Sequence, residues 1–215
     1  MSTITVTGAA SAAVAPDRAL VRVALTHLAP TASAAMAEIS RRGESLATLL
    51  AELGIARADW ATSGVNVAEE SEWRNDRSVV VGQRATASAS ITVRDIATDS
   101  DVLGRLLRDV VDTVGGRIDS MSWIVDDENP ARLELLAAAA HDARVRADAY
   151  AGALGLVVSG VDAVSEHALG DPEPRAEGLA MKARAMMADS APMPVNAGDV
   201  DLTARVNVRF AVLAS

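Results

Sequence analysis

Two stretches of strict two-residue alternation decide what kind of sheet this chain must build. Over residues 84–94, Ala85, Ala87, Ala89, Ile91 and Val93 fall on one face, while Arg84, Thr86, Ser88, Ser90, Thr92 and Arg94 fall on the other. Over 201–212, Leu202, Ala204, Val206, Val208, Phe210 and Val212 alternate with Asp201, Thr203, Arg205, Asn207, Arg209 and Ala211. Successive strand side chains point to opposite faces, so each run predicts a long strand with one dry and one wet face. That pattern belongs to antiparallel sheets, because parallel strands are buried on both faces and read as continuous apolar runs. Shorter strands are predicted at 3–8, 18–28, 61–72, 117–126 and 156–167.

Between the strands the period changes to that of a helix. Met36, Ile39, Gly43, Leu46, Leu50 and Leu53 recur at steps of three and four and predict a helix over 31–53, with Thr31 as N-cap and Gly54 as the stop. Leu133, Leu136, Ala140, Ala143, Ala147, Tyr150 and Leu154 predict a second over 130–154, opened by Asn129 and Pro130 and ended by Gly155. A shorter one over about 100–114 carries Leu103, Leu106, Val110 and Val114 ahead of Gly115-Gly116.

This order reads as an α+β fold of two β-α-β-β halves, 18–94 and 117–212. Antiparallel sheets are packed by the long helices, and the shorter helix connects the halves. Local strings echo between them: Leu53-Gly54-Ile55 with Leu154-Gly155-Leu156, and Ser63-Gly64-Val65 with Ser159-Gly160-Val161. A length of 215 residues suits one domain, 1–215. Residues 169–197 hold four of the seven prolines and four of the seven methionines, and are expected to form a mobile loop.

Composition removes whole classes of function. A net charge of -9 is the opposite of what a phosphate-backbone binder needs, so no nucleic-acid partner is expected. No run approaches the ~18 apolar residues of a membrane-spanning helix, so no membrane insertion is expected. Without cysteine there is no disulfide, thiol chemistry or thiolate metal site.

Chemistry-bearing residues are scattered. His27, His141 and His167 lie too far apart for a metal motif; His141-Asp142 reads as an exposed helical pair, and His167 with Glu166 as a strand end. Asp126, Asp127 and Glu128 precede a helix, where they either bind a cation or serve as helix-start acids. Gly115-Gly116-Arg117 stands after a helix and before a strand, the reverse of a phosphate-cradling loop. No Gly-x-Ser-x-Gly elbow occurs. Met181, Met186, Met187 and Met193 suit soft copper or adaptable packing, and their irregular spacing favours packing. No catalytic, cofactor-binding or metal-binding residue is therefore expected, and the chain reads as a non-enzyme. The alanines are more informative. Ala85, Ala87 and Ala89 on a strand and Ala140, Ala143 and Ala147 on a helix make shallow faces on which something must pack closely; close helix-to-sheet contact inside each half accounts for some of it, and the faces are expected to form a contact between subunits of a homo-oligomer.

Six strings stand in sequence order: Ile4-Thr5-Val6-Thr7-Gly8, Ala15-Pro16-Asp17-Arg18-Ala19, Leu53-Gly54-Ile55 with Thr62, Val93-Arg94-Asp95, Asp142-Ala143, and Gly198 before the last strand. Together they resemble the SIMPL-domain family, which includes YggE-like and periplasmic immunogenic proteins. The resemblance implies an α+β protein that assembles into larger oligomers and has no established enzyme activity. It offers no catalytic residue to transfer. Many bacterial relatives carry a secretion signal, whereas this chain enters Ile4-Thr5-Val6-Thr7 at once. The expectation is a cytoplasmic protein as written, or a periplasmic or secreted one if a signal has been removed. The functional expectation is a self-assembling, envelope- or stress-associated scaffold. The alternative is a small-molecule or metal-binding module with its pocket between the halves or under 169–197.

Overall fold

The described residues of a computed structural model, 2–74, 77–94, 96, 100–166 and 198–214, form seven strands and three α-helices. In chain order these are β1 (Ser2–Val14), β2 (Arg18–Ala29), α1 (Ala32–Glu52), β3 (Trp60–Arg74), β4 (Arg77–Arg94), α2 (Ser100–Asp112), β5 (Arg117–Ile124), α3 (Pro130–Ala153), β6 (Leu156–Ser165) and β7 (Val200–Ala214). Every strand pairing is antiparallel. The strands make a four-stranded sheet, β3-β4-β2-β5, and a three-stranded sheet, β1-β7-β6. The α+β class with helix-packed antiparallel sheets is as the alternation predicts. The expected loop 169–197 lies outside the described residues.

The strands are shared out differently from two sequential halves. β5, expected to open the second half, pairs instead with β2, and the place beside β7 is taken by β1 from the far end of the chain. Each sheet still surrounds its long helix with the same three-strand order, β3-β4-β2 in one and β6-β7-β1 in the other. The chain accordingly divides into a four-stranded unit built on residues 15–126 and a three-stranded unit built from β1, α3, β6 and β7. The physical reason lies in β1, which runs well past the predicted 3–8. All thirteen of its residues pair with β7, from Ser2 opposite Val212 to Val14 opposite Val200. The Ala- and Ser-rich end of that strand has weak strand propensity of its own, and long-range pairing overrides it.

In the four-stranded unit, Val21, Val23 and Leu25 of β2 and Ile91 of β4 are buried beneath Ile39, Leu46 and Leu50 of α1 and Leu103, Leu106 and Val110 of α2. Burial of each such side chain stabilises the unit by about 1.5–3 kcal/mol. Thr31 caps α1, its hydroxyl accepting the Ala34 N–H at 3.2 Å, and Gly54 closes it at φ +72°. Arg42 of α1 donates through Nη1 to Thr26 O at 3.2 Å and to Gly115 O at 2.9 Å, tying the helix to β2 and to the turn before β5. Glu38 holds that guanidinium at 2.8 Å and also accepts from Arg41. At the other end of the sheet, Asp17 accepts the Asp126 N–H at 2.7 Å, and the Arg18 guanidinium meets the Asp126 carboxylate at 2.7 Å.

In the three-stranded unit α3 buries Leu135, Ala139, Ala143, Ala147 and Ala151, a stripe repeating every four residues. This corrects the predicted stripe, since Leu133, Leu136, Ala140, Tyr150 and Leu154 are exposed. The helix is set by closeness of approach. Gly8 of β1 lies directly against it, and a Cβ placed on Gly8 would overlap Ala139 O and stand 2.8 Å from Ala143 Cβ. Only small side chains fit that distance, so alanine faces glycine and the larger leucines turn away. The two SIMPL-like strings ending in Gly8 and beginning at Asp142 meet here. The Asp142 carboxylate accepts the Ala9 N–H at 2.9 Å, satisfying a donor of β1, and also pairs with Arg146.

Candidate functional site

Five of the six alanines expected at a subunit contact are covered within the chain. Ala85, Ala87 and Ala89 belong to the core of the four-stranded unit, and Ala143 and Ala147 lie under β1 and β7. Ala140 is exposed. Something does pack closely on the other five, and what packs there is the chain itself.

The surface left open is apolar and lies elsewhere on the three-stranded unit. Val161 and Val164 of β6 stand opposite Phe210 and Val208 of β7, and so occupy the same face of the sheet. Phe210 and Val208 are buried in the cluster beneath α3, whereas Val161 and Val164 are 58% and 62% exposed. The close seat of α3 on β1 explains the difference, because a helix drawn toward Gly8 and Ala9 leaves the β6 side of the sheet uncovered. Leu133 and Leu136 on the helix are exposed as well, giving an apolar ledge with α3 above and β6 below. On the opposite sheet face, Val157 pairs with Leu213 and both are exposed. In sheet order β6 is an edge strand. Two register shifts, at Val158/Gly160 and Val161/Ala163, disturb that edge. Bulges blunt an edge against simple strand addition, so the ledge offers side chains rather than a regular hydrogen-bonding ladder.

Where β7 begins, a surface hollow of about 640 Å³ is bordered by Asp127, Arg132, Leu133, Leu136, Glu166 and Arg205. Asp127 lies 3.7 Å from Arg132, so the hollow carries both signs of charge at its border. A second exposed apolar group closes the β3–β4 hairpin, where Trp73, 74% exposed, accompanies Val79 and Val80. The pairing of Glu70 with Arg84 at 2.8 and 2.9 Å braces that arm. The strict alternation begins only at Arg84, so the arm is not predicted from it. Gly82 explains the miss, since it breaks the alternation at a register shift, although Val79-Val80-Val81 beside Trp73 was a usable signal.

The remaining candidates do not converge. Among the described residues no three His, Asp or Glu side chains come together as metal ligands. Asp126 pairs with Arg18, and Asp127 with Arg132. His27 is half-buried on β2, and His141 is exposed on α3. His167 and the methionines 181, 186, 187 and 193 lie outside the described residues. The clear carboxylate shifts have structural causes. Hydrogen bonds from Arg41 and then Arg42 draw the Glu38 carboxyl down to about 2, and the Ala9 N–H, followed by Arg146, holds Asp142 below the usual range. Among the described residues no helix is long and apolar enough to cross a membrane.

A pair of helix-packed antiparallel sheets, with a close glycine–alanine seat in one and an uncovered apolar ledge beside it, defines an α+β protein whose open features are surfaces. The chain belongs to the SIMPL family, described as "Protein of unknown function (DUF541)", whose pattern matches residues 4–210. It is similar to the 26 kDa periplasmic immunogenic protein of Brucella melitensis biotype 1, with 26% identity over 219 residues covering 97% of this chain and 84% of that protein. The protein of the same description from Brucella abortus (strain S19) matches at the same identity and coverage.

Proposed function

We propose that this protein is a non-enzymatic, self-assembling component of the bacterial envelope, and that subunits meet through the apolar ledge of α3 and β6. The observation that carries the reading is the exposure of Val161 and Val164 on a sheet face where their β7 neighbours Val208, Phe210 and Val212 are buried. Large apolar side chains left exposed on an otherwise packed sheet face favour an interaction site, and a homo-oligomer is the simplest way to cover them. The periplasmic description of the Brucella relatives supports the envelope assignment.

Sedimentation tests the reading. Wild-type protein is expected to run as a discrete species of two or more subunits. The double variant Val161→Lys, Val164→Lys is expected to run smaller with an unchanged circular-dichroism spectrum, because each lysine would have to bury an ammonium group at the contact. Wild-type protein that stays monomeric at high micromolar concentration overturns self-assembly. An assembly unaffected by the double variant moves the contact away from the ledge.

A further inference from the structure

We propose that the four-stranded unit binds a small, neutral, largely apolar molecule in the cavity between α1 and strands β3 and β4, a ligand the size of one aromatic ring or a short aliphatic chain. The cavity measures about 160 Å³, and its border includes Met36, Gly43 and Leu46 of α1 with Val65, Ala87 and Ala89 of the sheet. This site is separate from the ledge and does not rest on self-assembly.

Gly43 is the telling residue. A glycine within a helix costs about 1 kcal/mol relative to alanine, and is normally repaid by a special backbone angle or by close approach of another backbone. Gly43 has neither. It is absent from the positive-φ glycines of the chain, and a Cβ built on it meets nothing within 4 Å. Gly8 is the contrasting case, where the neighbouring helix leaves no room for a methyl group. What Gly43 provides is space. Across the cavity stand Ala87 and Ala89, alanines on a strand where β-branched residues pack better. Three small side chains thus surround one hole that larger residues at any of these positions would narrow.

Size and lining define the ligand. An apolar cavity of about 150 Å³ in another protein stays dry and accepts benzene, so this space suits one ring or a comparable chain. None of the lining residues is ionisable, and the lining includes Ser40 and Thr62, both exposed. A charged ligand would lose its hydration without gaining a counter-charge. A neutral one can bury its apolar body and hydrogen-bond a hydroxyl of Ser40 or Thr62 at the rim. Val65, 54% exposed on the edge strand β3, marks the side on which the cavity meets solvent.

The test uses the full-length protein with benzene and phenol as probes, followed by amide and methyl chemical shifts and by melting temperature. Both probes are expected to raise the melting temperature with concentration and to shift resonances of Gly43, Val65 and Ala87. Gly43→Ala is expected to melt no lower than wild type and to bind several-fold more weakly, and Gly43→Leu to abolish the response. Should Gly43→Leu fail to fold, Gly43→Ala decides alone. Undiminished binding by Gly43→Ala, a lowered melting temperature in that variant without probe, or shifts confined to the α3–β6 ledge would each overturn the proposal. Loss of probe binding in an intact oligomer would count against the cavity alone, and a monomer that binds phenol would count against assembly alone.

Discussion

Gly8 shows how one missing methyl group can position a helix. Because its Cβ would fall inside the α3 backbone, Gly8→Ala must push the helix off β1 and stretch the Asp142–Ala9 hydrogen bond at the same time. The expected loss is about 1–3 kcal/mol, typical of overpacking, and is read from a urea unfolding curve. The carboxylates yield a pH prediction. Asp142 and Glu38 both ionise at lower pH in the folded chain than their ordinary values of 3.8 and 4.5. A lowered folded value means the stabilisation is complete above the unfolded value and is lost as pH falls through the folded one. For Glu38 the window runs from about 4.5 down to about 2. Wild-type stability should fall more steeply across that window than that of Glu38→Gln, and Asp142→Asn should flatten the curve below about 3.8. Parallel unfolding midpoints for wild type and Glu38→Gln from pH 5 to pH 2 would contradict this.

The two long helices were not equally legible as elements. In α1 the large side chains Ile39, Leu46 and Leu50 are the buried ones, so periodicity and burial agree. In α3 they disagree, because apolar residues occupy most of its circumference and the contact is specified by smallness. Leu133, Leu136, Tyr150 and Leu154 drew the predicted stripe toward exposed positions, while Ala139 and Ala151 gave no signal of their own. The same blindness affected the candidate site. That something packs closely on the alanines could be read from the sequence, but whether it belonged to the same chain required knowing where Gly8 lay. A paired substitution tests the observed face. Ala147→Leu should cost about 1–3 kcal/mol by overpacking, whereas Ala140→Leu on the exposed side should stay within about 0.5 kcal/mol of wild type. Equal thermal shifts for the two variants would mean that the stripe is misplaced.

At the scale of the whole molecule, the β-α-β-β arrangement was legible and the ownership of strands was not. Pattern identifies a strand but not its partner, and β5 precedes α3 in sequence just as β2 precedes α1. The pairing of β1 with β7 predicts how a truncated chain behaves. Removing residues 2–14 takes from β7 one of its two partners, leaving β6, and from α3 the strand holding Gly8. Amide protection measured by hydrogen exchange should then collapse across 200–214 while persisting across 18–94. Protection retained in both segments would show that the three-stranded sheet stands without its N-terminal strand.

The placement of β1 also imposes a timetable on biosynthesis. Residues 15–126 include every strand of the four-stranded sheet, so that sheet needs neither β1 nor β7 to close. The strand made first, by contrast, must wait for the one made last. Loop-closure entropy rises only logarithmically with length, so the wait costs little at equilibrium. Its effect is kinetic, since long-range β pairing is slow and an unpartnered strand is exposed to wrong partners meanwhile. The small residues from Gly8 to Ala13 make a poor adhesive for such encounters. The same modest side chains that let α3 settle so closely on β1 thus keep that strand inconspicuous until β7 is made.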